Sequence, residues 1–461
     1  MGSTSWPVDR RPTIIIHGTG QSEVFLCGER GELLLGANGK PIRSWIESID
    51  PMPRLRRAVP SLLASLLLRR DAGLTKAVRR AVEEAFSLFR SDENGRPLQN
   101  RRTERQHRMN GLENPPTSLA EVPNDWWERT CHHIPLQSME DAIGRDNIYY
   151  FAYDSLGFHP DAVEELYGLI QEVLQKHGTD QVNLMPISQG GTVMNALAAY
   201  CPQVKKQLRN VVYVVPAFDG SIVVGDLLCG RLAQGGAAFY RELLGLKGWQ
   251  GRLVGLLLRL MPKGLLPAVL LAGVEGLMGV MSRCTMIWAL LPKGDYLEAR
   301  GRWLSGPALA GLAEQTDRYY RAQCGAARNI RDMQALGVRL YDIADYNRPL
   351  PGLLASGGKV NADGIIDLDS ASMGAVSGPV DTPLPEDYRA AADPKYLSPD
   401  GIVDASTGVL PDTTFYFKNQ HHERTSRNDE IIRLTTRLVS AANPETVDTL
   451  AGEFPQFNDC R

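Results

Sequence analysis

The sequence predicts an α/β fold in which helices cover both faces of a mostly parallel sheet. Buried strands are indicated by the aromatic and β-branched run over residues 147–155 and by the apolar run over residues 211–215. Between them, residues 161–177 carry apolar side chains at helical spacing, and a further strand and helix follow over residues 182–200. Strand and helix therefore alternate as in the right-handed crossovers of a parallel sheet.

The segment over residues 182–200, VNLMPISQGGTVMNALAAY, places a serine between an apolar strand and a helix of small residues. Gly190 and Gly191 follow Ser188 almost at once. Side chains at these positions would collide with the strand, so the two glycines allow a tight, strained turn. A serine at the apex of such a turn presents its hydroxyl as a nucleophile, although Pro186 stands where the usual pattern has glycine. An ordinary helix-capping serine is the alternative interpretation.

Five segments together resemble landmarks of the α/β-hydrolase superfamily, in particular bacterial lipases and the lecithin–cholesterol acyltransferase-like branch. They are IIIHGTGQSE, YFAYDS, NLMPISQGG, PAFDGS and ADGIIDLDSASMG. The resemblance covers the core segments and implies a nucleophile, an acid and a histidine in the chain order Ser, Asp or Glu, His. In those lipases the acid commonly lies in an Asp-Gly segment with a serine seven residues later. Asp363 and Ser370 match that pattern.

The resemblance also implies an oxyanion hole built from backbone N–H groups. One donor would come from the turn that ends the segment over residues 13–20, TIIIHGTG, with Gly18 and Thr19 as candidates. The other would be Gln189, directly after the nucleophile. Glycine lets the backbone approach a developing oxyanion without a Cβ in the way. His17, taken alone, is expected to be a packed or hydrogen-bonded histidine rather than a catalytic one.

The general base must follow Ser188 in the chain, and only His421 and His422 do so. Both lie between a strand-like run over residues 413–418 and a segment of helical spacing over residues 428–439. A histidine in the loop between the last strand and the last helix is where the superfamily has its base, and we favour His422 over His421. A pair of surface histidines in a loop is the alternative interpretation.

The sequence leaves the acid open between several aspartates. Asp363 begins the longer lipase-like motif, DGIIDLDSASMG, whereas Asp400 begins a shorter one, DGIVDAST, 22 residues before His422. Asp345 and Asp219 remain alternatives because each follows a strand-like run. Aspartates in Asp-Gly turns more often form the turn than take part in catalysis. The acid would hold the imidazole in the correct tautomer and stabilise its cationic form.

Two long segments distinguish the chain from a minimal hydrolase. In the first, residues 45–140, leucine and valine clusters alternate with arginines, which predicts basic amphipathic helices followed by a polar, mobile stretch over residues 91–111. The second, residues 222–325, lies between the predicted sixth and seventh strands and is rich in leucine and methionine. Charges and prolines interrupt it too often for a membrane span. We predict that this second segment forms an apolar helical cap or lid, with plain packing on the core as the alternative. Residues 338–461 are predicted to hold the last strands, the acid and the histidine.

Composition limits the remaining function classes. The 461 residues fit one elaborated domain, and 50 basic against 53 acidic residues give a net charge of −3 without a basic arm, which argues against nucleic-acid binding. Seven cysteines without a close CxxC pair predict neither a disulfide framework nor a zinc site. The first residues lack an apolar stretch, so we expect a cytoplasmic protein or one exported without a cleavable signal.

These features together predict a serine hydrolase of carboxylic esters, a lipase or phospholipase-like esterase, that needs neither a metal nor an organic cofactor. Its expected partners are a lipid or other apolar ester and, transiently, a membrane surface. The same three side chains would also serve a lipid acyltransferase or a thioesterase. The same fold without chemistry would serve as a binding module, with the apolar insertion as its docking surface.

Overall fold

The computed structural model describes residues 6–45, 52–103, 108–109, 112–113, 116–122, 136–233, 262, 264–352 and 354–460. Its strands are β1 (Thr13–Ile16), β2 (Val24–Leu26), β3 (Arg101–Thr103), β4 (Arg108–Met109), β5 (Leu112–Glu113), β6 (Ile148–Phe151), β7 (Val182–Pro186), β8 (Leu208–Val214), β9 (Arg339–Tyr346), β10 (Arg348–Pro349), β11 (Asn361–Ala362), β12 (Val376–Ser377), β13 (Val403–Asp404), β14 (Thr414–Lys418) and β15 (Phe457–Asp459).

The α-helices of the described residues are α1 (Met52–Leu55), α2 (Val59–Leu68), α3 (Leu74–Ala85), α4 (Gln137–Ile143), α5 (His159–His177), α6 (Gly190–Tyr200), α7 (Ile222–Cys229), α8 (Leu265–Met281), α9 (Thr285–Ala289), α10 (Tyr296–Trp303), α11 (Ala310–Cys324), α12 (Ala326–Ala335), α13 (Leu368–Ala371), α14 (Glu386–Ala391), α15 (Asp429–Val439) and α16 (Val447–Leu450). Among them, none is both long and apolar enough to cross a bilayer.

Seven strands of the described chain form one sheet, in the order β15, β14, β9, β8, β7, β1, β6. Every neighbouring pair in it is parallel. Parallel neighbours require crossover connections, and helices supply them on both faces. The inner strand β7, between β8 and β1, leads directly into the turn that carries Ser188. The predicted fold class, an α/β fold with a doubly wound parallel sheet, is confirmed.

Each face of the sheet packs against its own helices because successive strand side chains point to opposite faces. In β1, Ile14 and Ile16 belong to one apolar core, which includes Leu166 of α5 and many residues between β8 and β9. Ile15 belongs to a second core on the other face, with Leu434 of α15. All of these side chains are fully buried. The sheet is therefore covered on both sides, and its carboxyl edge is where the loops meet.

The segments predicted from periodicity lie close to the observed elements. The run over residues 147–155 contains β6, residues 161–177 fall within α5, and residues 413–418 contain β14. Helix α15 begins where its capping signal predicts, and the short helix α16 follows it. The Asn428 side chain accepts hydrogen bonds from the N–H groups of Glu430 and Ile431 at the first turn of α15.

The first insertion contains helices α1–α3 and strand β3, which pairs with β2 from the segment before the insertion. The polar composition of residues 91–111 predicts a mobile stretch, but residues 91–103 are part of the fold. Arg101 in β3 is almost fully buried and pairs with Asp154 at 3.0 Å, and its guanidinium also donates to the Leu156 carbonyl. Thr103 is buried as well. A buried ion pair holds this segment on the core, which composition alone does not indicate.

The second insertion lies between β8 and β9, and its described residues form helices α7–α11. The apolar run over residues 252–263 lies almost wholly outside the described residues. Helix α8 packs against α3 of the first insertion, so the two insertions form one unit. The approach is close: a Cβ on Gly276 would lie 2.5 Å from the Arg79 carbonyl oxygen. An ion pair between Arg79 and Glu275 joins the same two helices.

Candidate active site

Ser188 occupies a strained turn between β7 and α6. Its φ angle is 50°, in the left-handed region that non-glycine residues rarely adopt. The turn is attached to both neighbouring strands. The Ser188 N–H donates to the Val214 carbonyl at 3.0 Å, and the N–H of Ile187 donates to the Ile16 carbonyl at 2.9 Å. Pro186 is accommodated as the last residue of β7, opposite Ile16.

The two glycines after Ser188 are required by close backbone contacts. A Cβ on Gly190 would lie 2.3 Å from the Ile16 carbonyl oxygen, and one on Gly191 would lie 2.9 Å from Pro216 Cβ. Helix α6 can therefore start directly against β1 and against the loop after β8 only because both residues lack side chains. These contacts give the sequence pattern its physical cause.

Ser188, His422 and Asp363 are joined by hydrogen bonds. His422 Nε2 lies 2.9 Å from Ser188 Oγ, and His422 Nδ1 lies 2.6 Å from Asp363 Oδ2. The His422 N–H also donates to the Asp363 carbonyl at 3.0 Å. When Nδ1 donates to the carboxylate, Nε2 is left to accept the serine proton. The arrangement can therefore transfer a proton from the hydroxyl to the imidazole.

The pKa of His422 reflects two opposing effects. Burial of the imidazole alone would lower it, because a buried cation loses hydration. The adjacent Asp363 carboxylate outweighs burial and raises the pKa above the ordinary histidine value of 6.5. The site therefore stabilises the cationic imidazolium that proton transfer from Ser188 would produce.

A local turn orients the Asp363 side chain. Asp363 is fully buried, and its Oδ1 accepts hydrogen bonds from the N–H groups of Ile365 at 2.9 Å and Ile366 at 2.7 Å. Its other oxygen remains for His422. Gly364 has a φ of +99°, a conformation in which a side chain would be strained. The Asp-Gly turn therefore both forms the loop and directs one carboxylate oxygen at the imidazole.

Ser370, seven residues after Asp363, connects two loops through hydrogen bonds. Ser370 Oγ donates to the Gly220 carbonyl at 2.7 Å and accepts from the Asp219 N–H at 2.9 Å. It thereby ties the acid loop to the loop that follows β8. Asp219, one of the alternative acids, pairs instead with Lys293 at 2.6 Å.

Asp400 and His421 lie outside this hydrogen-bond chain. The Asp400 carboxylate pairs with Lys418 Nζ at 2.8 Å and accepts from the Ser398 hydroxyl at 2.6 Å. Burial raises the pKa of Asp400, but the hydrogen bonds from Lys418 and Ser398 outweigh it and the pKa is lowered. His421 Nδ1 accepts from the Glu423 N–H at 3.2 Å and so caps the short helix His422–Arg427. The structure therefore brings Asp363 and His422 together with Ser188, whereas Asp400 and His421 are not part of this chain.

A second carboxyl, Asp345, is buried behind the site near the end of β9. It accepts a hydrogen bond from the Thr425 hydroxyl, in the helical turn that begins with His422. Burial raises the pKa of Asp345 to about 8, and the negative charge of Asp363 acts in the same direction. Asp345 is therefore largely protonated at neutral pH and supports the histidine loop. Sequence spacing places it near the site but does not identify Thr425 as its partner.

The two N–H groups expected to bind an oxyanion are free within the described residues. Neither the Thr19 nor the Gln189 amide nitrogen donates a hydrogen bond there. The Gly18 amide, also predicted as a donor, is not available, because it donates to the Gln21 side chain at 2.6 Å. The missing side chain of Gly18 instead lets this turn lie close to Ser188, because a Cβ added at Gly18 would lie 2.9 Å from Ser188 Cβ. Thr19 and Gln189 are therefore the pair of donors that the backbone offers.

The Gln189 side chain, which the sequence does not single out, holds the loop that carries Thr19. Its Oε1 accepts from the Thr19 hydroxyl at 3.0 Å, and its Nε2 donates to the Ser155 carbonyl at 3.1 Å. Ser155 Oγ in turn accepts from the Gly20 N–H at 3.1 Å. Three loops at the carboxyl edge of the sheet are thereby fixed to one another, which holds both free amides in place.

His17 is a packed histidine, as expected. It is fully buried, its ring stacks on Tyr153 at 4.1 Å, and its Nδ1 lies 2.6 Å from the Gly18 carbonyl. Burial lowers its pKa to about 4, so the ring is neutral at physiological pH. It supports the turn at Gly18 and Thr19 from below.

The described residues contain one cluster with the spacing of a metal site: Cys229, Asp295 and Glu298. The Arg231 guanidinium pairs with both of its carboxylates, at 2.8 Å from Asp295 and closer still to Glu298. A side-chain cation therefore already neutralises this cluster.

Comparisons with known proteins contribute little beyond this geometry. No protein-family model matches the chain, and no curated protein matches it. The crystal structure of the Tle4–Tli4 complex is similar to it with a TM-score of 0.37 and 11% sequence identity, over 93% of this chain and 98% of that one. A likeness at this level establishes no shared activity.

The contact at Gly190 generates a stability prediction. Gly190→Ala places a Cβ against the Ile16 carbonyl oxygen, so we expect a loss of roughly 1–3 kcal/mol or more in the free energy of unfolding. Gly301→Ala in α10 is the matched control, since its Cβ meets nothing within 4 Å. This control should be neutral or gain roughly 0.5–1 kcal/mol. Thermal unfolding of both variants measures the difference, and equal melting temperatures would contradict the proposed contact.

Proposed function

We propose that the protein is a serine-dependent hydrolase of carboxylic esters that works through an acyl-enzyme. The observation that carries this proposal is the unbroken chain of hydrogen bonds from Ser188 through His422 to Asp363. Nucleophile, orienting acid and base follow one another in the chain order of the superfamily. Free N–H groups on either side of Ser188 complete the requirements for acyl transfer.

Each side chain has one task in the proposed reaction. His422 takes the proton of Ser188 as Oγ attacks the ester carbonyl, and Asp363 stabilises the imidazolium that forms. The N–H groups of Thr19 and Gln189 donate to the oxyanion of the tetrahedral intermediate, where one such donor is worth roughly 3–4 kcal/mol. His422 then protonates the departing alcohol. Water, activated by the same imidazole, releases the acid from the acyl-enzyme. No step calls for a metal ion or an organic cofactor.

The apolar second insertion supports lipidic esters as the substrate class. The loop that leads into it passes beside the nucleophile, because the Ala217 N–H donates to the Ser188 carbonyl at 2.9 Å. The loop then leads into α7, and α8 further on has the sequence LLPAVLLAGVEGLMGVM. Each methylene removed from water is worth roughly 0.8 kcal/mol, so a cover of this composition favours long acyl chains. We therefore propose a lipase or phospholipase-like esterase, with these helices as its lid.

The nucleophile is tested by covalent labelling. A fluorophosphonate probe should label the wild-type protein, because His422 activates the Ser188 hydroxyl, and Ser188→Ala should abolish the labelling. Ser305→Ala, which changes an exposed serine in the second insertion, should label like wild type. The measurement is in-gel fluorescence, with and without detergent micelles to open a lid. Wild-type protein that stays unlabelled under both conditions would contradict the proposal.

The acid is tested by two aspartate substitutions and a pH profile. We expect Asp363→Asn to reduce turnover about 10⁴-fold, because the amide cannot stabilise the imidazolium. Asp400→Asn is the matched control; it should leave turnover close to wild type and cost stability of roughly 1–3 kcal/mol through the loss of the Lys418 partner. Comparable losses of turnover in both variants would rule out the assignment of Asp363.

The same variants predict a shift along the pH axis. Only the neutral imidazole accepts the serine proton, so kcat/KM should rise with pH through the pKa of His422. The Asp363 carboxylate raises that pKa, so the wild-type midpoint should lie above 6.5. Removing the charge in Asp363→Asn leaves burial as the main effect and should move the midpoint to lower pH, whereas Asp400→Asn should not move it.

The substrate class is tested by the acyl-chain profile of nitrophenyl esters. We expect kcat/KM to increase from two-carbon to medium and long acyl chains, since each further methylene is buried by the lid. The ratio between adjacent chain lengths, at substrate concentrations below micelle formation, is the quantity to measure. A strong preference for the two-carbon ester would contradict a lipase and favour a thioesterase or a short-chain esterase.

A further inference from the structure

Helix α2 exposes an apolar stripe to solvent. Val59, Leu63 and Leu67 follow one another at intervals of four residues and so lie on one helix face, with Leu68 beside them. Their exposed fractions are 45%, 54%, 84% and 56% in that order. The opposite side of the helix is different: Leu62 packs on the small apolar cluster that includes Leu265 of α8. The α2 stripe, as we name these four residues, is therefore unpartnered while the rest of the helix is anchored.

Positive charge surrounds the α2 stripe. Residues 52–85, which hold α1–α3, contain eight basic and three acidic residues, although the whole chain carries a net charge of −3. Arg56 precedes the helix, and Arg69 and Arg70 follow it. These three side chains are exposed and form no ion pair with any other described residue. Their charges are available to an anionic partner.

Two of the three acidic residues of this segment are already engaged. Glu84 pairs with Arg57 and Arg80, both at 2.9 Å. Asp71 caps α3, where its carboxylate accepts from the Leu74 N–H at 2.7 Å. The positive charge beside the α2 stripe is therefore not neutralised from within the segment, and an anionic surface complements it.

We infer that the α2 stripe docks on the surface of an anionic phospholipid bilayer. A lipid surface supplies acyl chains for the leucines and negative headgroups for the arginines within one layer. Ten helical residues span only about 15 Å, so α2 is too short to cross a membrane. Because arginines flank both ends of α2, both ends of the helix must lie at a similar depth in the bilayer. The helix therefore lies in the plane of the interface with its leucines among the acyl chains.

The docked surface is connected to the candidate active site. The first insertion begins after β1 and the second after β8, so both leave the carboxyl edge of the sheet where Ser188 lies. The packing of α3 on α8 joins them. Docking through α2 would thus bring this edge toward a lipid substrate. This last step rests on the proposed hydrolase function, whereas the docking itself rests only on the exposure and charge of the α2 stripe.

Vesicle co-sedimentation of the Ser188→Ala protein tests the inference without turnover. Vesicles of phosphatidylglycerol and phosphatidylcholine in equal parts should bind the protein, and vesicles of phosphatidylcholine alone should bind it far more weakly. Added salt should weaken binding, because it screens the arginines. The double change Leu63→Ser and Leu67→Ser should reduce the partition coefficient at least about tenfold, since both side chains lose their burial in lipid.

Two further variants separate the contributions. Arg56→Gln with Arg70→Gln should weaken binding to the anionic vesicles by about tenfold or more. Leu336→Ser is the matched control: it removes an exposed leucine just before β9, at the amino edge of the sheet, and should bind like the parent protein. Equal binding by the Leu63/Leu67 variant and the control would overturn the inference.

The outcome is separable from that of the hydrolase proposal. Vesicle binding without fluorophosphonate labelling would leave the docking surface standing and contradict the enzyme. Labelling without vesicle binding would support the enzyme and overturn the docking surface. Sizing of the free protein covers a second copy as occupant: a dimer that dissociates in the Leu63/Leu67 variant and does not bind vesicles would assign the α2 stripe to self-association and overturn lipid docking.

Discussion

The close contact of the Ser188 turn with its neighbouring strands is the constraint on which the rest of the site depends. A left-handed φ at a non-glycine residue costs roughly 1–3 kcal/mol, and it persists only where surrounding contacts impose it. Here N–H groups bond the turn to β1 and β8, and Gly190 lies against the Ile16 carbonyl. The same contacts direct the Ser188 hydroxyl out of the sheet and leave the Gln189 amide unpaired. Strain in one residue thus presents both the hydroxyl and one of the two amides that the proposed reaction uses.

His422 and Asp363 reach this turn because parallel strands end at a common edge. His422 follows β14, and Asp363 lies in the long loop after its neighbour β9. Two buried carboxyls then lie near one imidazole, with different surroundings. Two backbone N–H groups donate to Asp363, whereas burial raises the pKa of Asp345 to about 8. The imidazole Nδ1 faces Asp363, whereas Asp345 accepts the Thr425 hydroxyl instead.

Periodicity and residue type predict the alternation of strand and helix, the glycines of the elbow and the loop that holds both histidines, because those features are local. They do not decide between His421 and His422. The acid is different: Asp363 and Asp400 begin similar Asp-Gly turns, and what separates them is Lys418, which lies on β14 and takes the Asp400 carboxylate. The buried pair of Arg101 and Asp154 likewise joins segments 53 residues apart. Polar composition around Arg101 predicts mobility, because a local pattern holds no information about a distant partner.

The uneven distribution of charge along the chain would turn both insertions toward the same anionic surface. A net charge of −3 distributed evenly would make every face weakly repelled by an anionic surface. Concentrating basic residues in α1–α3 reverses this for one face, and the α3–α8 packing connects that face to the apolar helices that follow β8. Long-range attraction then orients the molecule before apolar contact begins, since electrostatic forces act over about 8–10 Å and hydrophobic contact does not. Orientation would thus precede insertion of the leucines, and both would act on the edge of the sheet that carries Ser188.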